Sequence, residues 1–168
     1  MYFNFFFSLL ISAREKATKE NLKIDFQKQD ARNLPFDKEF DFAIMLCEGG
    51  FPLMETDEMN FEILKSVTKS LKGKSKFIFT TLNGLFPLFN SIEKFCAAVS
   101  MDDNATYRKN TFDLMTFRDH NATEFVDDDG KKKTLVCNER YYVPSEINWL
   151  LKSLGYKKID IFGAKLGA

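Results

Sequence analysis

The sequence predicts an α/β fold: a mostly parallel sheet with flanking helices, interrupted by an antiparallel hairpin insertion. Three observations carry this. Strand-like and helix-like segments alternate along most of the chain. Two short runs, Phe40–Leu46 (FDFAIML) and Lys76–Thr81 (KFIFTT), are more continuously apolar than a half-exposed strand, as expected of strands covered on both faces. Between Tyr107 and Tyr142 the pattern changes to β-prone stretches around Asp127-Asp128-Asp129-Gly130-Lys131, where Asp-Gly is a hairpin signal.

In chain order, Met1–Ile11 (MYFNFFFSLLI) reads as a buried strand running into a helix. Ser12–Asn21, charged and rich in helix formers, reads as that helix's exposed end. Leu22–Phe26 (LKIDF) alternates apolar and polar residues and reads as a strand. Phe40–Leu46 is the next strand. Asp57–Leu71 is a helix: Phe61, Leu64, Val67, Thr68 and Leu71 share a stripe, Asp57 and Glu58 sit in its first turn, and Lys72-Gly73 closes it. Lys76–Thr81 is another strand. Leu85–Val99 reads as a helix with Pro87 near its first turn. Leu114–Phe125 and Thr134–Val143 pair as the hairpin, its charged tip solvated. Pro144 opens a helix with apolar positions Ile147, Leu150, Leu151 and Leu154, and Gly155 ends it as the residue after the cap. Lys157–Phe162 (KKIDIF) is a last strand.

Composition narrows the function. The 168 residues carry 24 Lys plus Arg against 24 Asp plus Glu, so no basic excess points to nucleic acid. Hydrophobic residues make up 45%, enough for a core, which excludes wholesale disorder. Nineteen residues are Phe and one is Trp, and rings in that number call for elements buried on more than one side. Cys47, Cys96 and Cys137 are odd in number and widely spaced, with no C-x-x-C. They read as free thiols of a reducing, cytoplasmic setting, and no metal site is indicated. The apolar start is far short of the roughly 18 residues of a membrane span and lacks a signal peptide's basic flank.

In an open parallel sheet, ligands gather outside the carboxyl ends of the strands. After Leu22–Phe26 comes QKQDARNLPF, after Phe40–Leu46 comes CEGGF, and after Lys76–Thr81 comes LNG. A helix ending in AREKA, then QDARNLPF, FDFAIML and SLKGKSKFIFTTLN, in that order, resembles the class I S-adenosylmethionine-dependent methyltransferases, with their Rossmann-like sheet. The resemblance spans about residues 9–163. It implies that Asp30 accepts from the adenine amino group and that the Ala31 backbone touches the ring. Leu34 and Phe36 would form an apolar wall beside it. Cofactor contacts would fall on Asp30, Ala31, Arg32, Leu46 and, at the place of the ribose-binding acid, Asn4. Glu48 would face the transfer site as base or amine-orienting group. Cys47, Arg118, His120, Arg140, Tyr141 and Tyr142 would contact a small-molecule methyl acceptor, with 107–143 as a lid. Taken by themselves, Asp30 also suits a turn, Gly49-Gly50 a flexible turn, and His120 an exposed hairpin.

The chain departs from the family pattern in three places. Leu71-Lys72-Gly73-Lys74-Ser75 stands where the family has Leu-Lys-Pro-Gly-Gly. No Gly-x-Gly-x-Gly turn is present, and too few residues follow Phe162 for a closing strand. The expectation is a domain over 1–168 clipped at both ends, with a sheet edge open to a second copy. A non-catalytic remnant acting as an interaction subunit is the other reading. A nicotinamide-dependent dehydrogenase finds no dinucleotide fingerprint in the sequence.

Overall fold

The computed structural model describes residues 3–46, 50–89, 91–92, 107–126 and 130–163, with the backbone alone at 3–9, 107–110, 123 and 125. The chain divides into two compact units, Met1–Asp30 and Ala31–Ala168.

The first unit is one helix, α1 (Phe3–Lys19), followed by an extended segment. The helix already begins at Phe3, so the expected opening strand is not formed. A helix satisfies its own backbone groups, whereas a strand needs a neighbour to complete its ladder. Asn4 therefore lies in the first turn of α1, not at a strand end where a ribose would be held. The helix ends in a Schellman turn. Leu22 N–H donates to Ala17 O at 2.8 Å and Asn21 N–H to Thr18 O at 3.1 Å. Asn21 takes the left-handed conformation this requires, with φ of 55°. The Arg14 guanidinium then donates to Phe26 O at 2.8 Å, tying the extended segment to the helix. Leu22–Phe26 makes no ladder among the described residues, which corrects its reading as a strand.

The second unit holds the core. After a single 3₁₀ turn at Ala31–Asn33 come β1 (Phe40–Met45), α2 (Asp57–Ser70), β2 (Leu71–Phe79) and α3 (Leu85–Phe89). They are followed by β3 (Tyr107–Asp113), β4 (Arg118–Val126), β5 (Lys132–Arg140) and α4 (Pro144–Ser153). β1 and β2 pair in parallel, with Ile44 opposite Ile78 and Met45 opposite Phe79. β3, β4 and β5 form a separate antiparallel sheet in that order. The fold is thus α/β, but parallel pairing is confined to two strands among the described residues. Lys157–Phe162 also makes no ladder, although Ile159 packs on the core.

Phe51, Ile63, Leu64, Tyr142, Ile147 and Leu151 form the core cluster, with Met45, Phe77 and Phe79 packed on it from the sheet. Period-two alternation sends Phe42, Ile44 and Ile78 to the other face, where they are exposed. The expectation of strands covered on both faces is corrected on that side. The buried stripe of α2 runs through Asn60, Ile63 and Leu64; of the predicted helix positions Leu64 is fully buried, while Phe61, Val67 and Thr68 are half-buried beside it. Thr56 caps α2, its hydroxyl accepting from Met59 N–H at 3.2 Å. The Glu58 N–H and the Thr56 hydroxyl hold the Glu58 carboxyl below its ordinary range. Lys72-Gly73 does not close the helix. Leu71 is already extended, and both residues belong to β2, where an irregular register between Phe40 and Phe42 absorbs them.

The insertion has three strands rather than two. Residues 114–117 form a turn, not strand. Asp113 Oδ1 accepts from Met115 N–H at 2.8 Å and Oδ2 from the Thr116 hydroxyl at 2.7 Å. These bonds, Thr116 foremost, lower the Asp113 pKa. α3 spans five residues of the predicted Leu85–Val99 helix, and 93–99 lie outside the described residues. α4 begins with Pro144 and ends as predicted: Gly155, at φ of 93°, closes a second Schellman turn in which Tyr156 N–H donates to Leu151 O at 3.1 Å.

Candidate functional site

The antiparallel sheet is held to the two helix N-termini by charge. Arg118 at the start of β4 and Arg140 at the end of β5 stand opposite each other in register. Both residues are only 6% exposed. Burying a guanidinium costs several kcal/mol unless acceptors surround it, and they do. Arg118 donates to Asp57 Oδ1 at 2.5 Å, Met54 O at 2.9 Å and Asn138 Oδ1 at 3.1 Å. Arg140 donates to Asp57 Oδ2 at 3.1 Å, to Glu146 Oε1 at 2.6 Å and to the Tyr141 carbonyl. Its guanidinium also lies 4.6 Å from the Tyr142 ring centroid. Burial opposes charge on Arg140, but the bonds to Glu146 and Asp57 outweigh it and raise its pKa.

The two carboxylates are placed by their helices. Asp57 is the first residue of α2, where a negative charge is favourable. Glu146 is the third residue of α4 and reaches back to accept from Val143 N–H at 2.8 Å. Beneath them the fully buried Asn60 is a clamp. Its Oδ1 accepts from Met54 N–H at 3.0 Å, and its Nδ2 donates to the Tyr142 hydroxyl at 3.1 Å. Burial first, and then the Asp57 charge, push the Tyr142 phenol up to about 12.

A cleft of about 430 Å³ opens over this network, lined by Asp57, Arg140, Tyr142, Ser145, Glu146, Trp149 and Leu150. Trp149, the sole Trp, is 68% exposed on its rim. An aromatic wall over a polar floor of this size suits a small organic molecule. α2 starts beyond the carboxyl end of β1, the end at which such sheets bind ligands.

The predicted residues divide around this cleft. Arg118 and Arg140 come together, and Tyr142 joins them. Tyr141 packs away, its ring edge-on to Phe112 at 5.4 Å. His120 lies opposite Asn138 with its side chain exposed. Ala31 opens the 3₁₀ turn and packs on the core, and Arg32 follows it, exposed. Leu34 N–H donates to Ser66 Oγ at 2.8 Å, fixing that turn to α2. Leu46 is exposed at the carboxyl end of β1. Asp30 is exposed at the end of the first unit. Cys47 and Glu48 lie outside the described residues, as does the side chain of Asn4. Asp57, Asn60 and Glu146 were missed by the sequence reading. An Asn three and four residues before Ile63 and Leu64, on an apolar stripe, was the available signal. Among the described residues no group of His, Cys, Asp and Glu could hold a metal ion, and no helix is long and apolar enough to cross a membrane.

Two solved structures share this architecture. An S-adenosylmethionine-dependent methyltransferase from Clostridium acetobutylicum ATCC 824 aligns with a TM-score of 0.60 at 20% identity, covering 88% of this chain and 59% of its own. The CcbJ methyltransferase from Streptomyces caelestis aligns with a TM-score of 0.55 at 17% identity, covering 87% and 59%. The chain thus spans well under two thirds of either neighbour. No family model and no curated protein sequence matches it. The chain has the fold of the class I S-adenosylmethionine-dependent methyltransferases.

Proposed function

We propose that the chain is an S-adenosylmethionine-dependent methyltransferase, or the greater part of one, acting on a small-molecule acceptor. The alignment over 88% of the chain with a methyltransferase is the observation that carries this reading. The residues of the second unit fit the cofactor's adenine half in kind. Ala31 is fixed beside the core, and the exposed Leu46 offers an apolar surface at a strand's carboxyl end. Arg32 follows Ala31. Asp30, next to Ala31 in sequence, keeps the acceptor role the resemblance gives it. Asn4, in the first turn of α1, has the ribose role only as the resemblance gives it. When bound, the cofactor supplies an electrophilic methyl group for in-line transfer.

The acceptor would be held under the antiparallel sheet acting as a lid, with Glu48 as base or amine-orienting group and Cys47, Arg118, His120 and Arg140 as contacts. The Arg118–Asp57–Arg140–Glu146 network gives that lid a fixed base, and positioning is the main help such a transfer needs. The balanced charge favours a small molecule over nucleic acid. A reducing cytoplasm suits the free thiol of Cys137, whose pKa is raised by burial and then by Glu139. Among the described residues β1 and β2 pair only with each other, and an open edge there would let copies of the chain associate.

Isothermal calorimetry with S-adenosylmethionine tests the reading. Saturable heat is expected from folded protein. No heat at millimolar ligand overturns cofactor use by this chain.

A further inference from the structure

The cleft over the charged network has an uneven lining. Arg140 spends its donors inward: Nε bonds Asp57, one terminal nitrogen bonds the Tyr141 carbonyl and the other bonds Glu146. The Arg118 and Arg140 side chains are each 8% exposed, whereas those of Asp57 and Glu146 are 50% and 38% exposed. The network is neutral in sum, yet it turns carboxylate oxygens outward and keeps its cations inside. Among the described residues each of the four oxygens accepts one bond, which leaves each a second lone pair. Trp149 follows Glu146 by three residues on α4, so the two share a helix face. Its ring is 68% exposed and has no ring or hydrogen-bond partner among the described residues. A bare indole and two half-exposed carboxylates thus line one cavity of about 430 Å³.

We propose that this cleft binds a small organic cation, its nitrogen against the outward faces of Asp57 and Glu146 and its carbon groups against the Trp149 ring. Trp is the best aromatic partner for a cation, and the attraction grows as water is excluded. The carboxylates supply the charged acceptors that an ammonium N–H prefers. An anion finds no free donor on Arg140 and meets two like charges instead. The positive ends of α2 and α4 do not call for an anion, because Asp57 and Glu146 already sit in their first turns. A neutral molecule gains the apolar contact alone. The cavity volume suits a small amine. The role of that cation as methyl acceptor rests on the methyltransferase reading; its binding does not.

The chain has a single Trp, so its fluorescence reports on this cleft. Choline, benzylamine and 1,4-diaminobutane are titrated into the full chain without cofactor, at constant ionic strength. The controls are 3,3-dimethylbutan-1-ol, the neutral isostere of choline, and 3,3-dimethylbutanoate. At least one cation should change the Trp149 emission saturably, with both controls about tenfold weaker or silent. Calorimetry then compares the best cation on wild type, Trp149→Leu and Glu146→Gln, and each variant should bind it about tenfold more weakly. Trp149→Leu changes an exposed side chain and keeps the fold, so it decides if Glu146→Gln does not fold. Silence towards all three cations overturns the proposal. Equal binding of either control overturns it, as does unchanged cation affinity in Trp149→Leu. Because the cation titrations contain no cofactor, a failure to bind S-adenosylmethionine would sink the methyltransferase reading alone, and a failed cation titration would leave that reading standing.

Discussion

Asp57→Ala removes the one carboxylate shared by two buried guanidiniums. Arg118 and Arg140 side chains are each 8% exposed, while Asp57 is 50% exposed. The two lost bonds, at 2.5 and 3.1 Å, would each be worth about 1.5–3 kcal/mol if fully buried. Solvent at Asp57 cuts that roughly in half, and loss of its charge at the α2 N-terminus adds about 0.5 kcal/mol. The arginines keep Met54 O, Asn138 and Glu146, so neither is stranded. The expected cost is about 2–4 kcal/mol, or a fall of roughly 5–15 °C in Tm for a chain of this size. Asp41→Ala is the internal control, because its 2.9 Å bond to Lys72 is well exposed on both sides and should cost about 0–1 kcal/mol. Urea unfolding of both variants, and of Asp57→Ala combined with Arg140→Met, reads the difference. If Asp57→Ala costs no more than Asp41→Ala, the network does not hold the antiparallel sheet, and the reasoning fails.

Three further outcomes follow from other contacts. Gly84→Ala puts a Cβ 2.8 Å from Phe117 Cδ1 and 3.2 Å from Tyr141 O, so it should cost about 1–3 kcal/mol by overpacking, with partial rescue by Phe117→Ala in urea unfolding. Tyr142→Phe leaves the buried Asn60 amide without its 3.1 Å acceptor and should cost about 1–3 kcal/mol. The Tyr142 phenol is raised from 10.0 to about 12 in the folded state, so its contribution is full below pH 10 and is lost as pH rises toward 12. Alkaline melts of Tyr142→Phe should therefore lose less stability across that window than wild type. Asp119→Asn should raise the neutral-pH melting temperature without ligand: the raised folded pKa gives stability below the unfolded value near 3.8, and that is lost as pH climbs through the folded value. A lower melting temperature for the folded variant at neutral pH would contradict that sign.

Local chemistry was legible in the chain. Asp57–Ser70 and Pro144–Ser153 appear where helix formers, a first-turn acid or proline, and apolar spacing required them. Gly155 ends its helix in the conformation only glycine enters freely. β1 and the core of β2 appear where apolar runs were found, and the order of those pieces carried the methyltransferase resemblance that the fold supports. These readings depend on residues close in sequence, and short-range sterics and hydrogen bonds settle them.

What failed depended on partners. Leu22–Phe26 and Lys157–Phe162 have strand-like patterns, yet a ladder exists only where a second backbone offers its groups. The Phe-rich start became a helix for the same reason. Phe42, Ile44 and Ile78 carry the apolar character of a covered face, but coverage belongs to what packs on it. The site followed the same division. Arg118 and Arg140 could be picked as candidates one at a time. That Asp57, 61 and 83 residues away in sequence, would hold both, or that neighbouring Asp119 would be buried with one oxygen unmatched on the other side of the same strand, came only with the folded chain. Burial and pairing are properties of residues distant in sequence and near in space, and no local pattern encodes them.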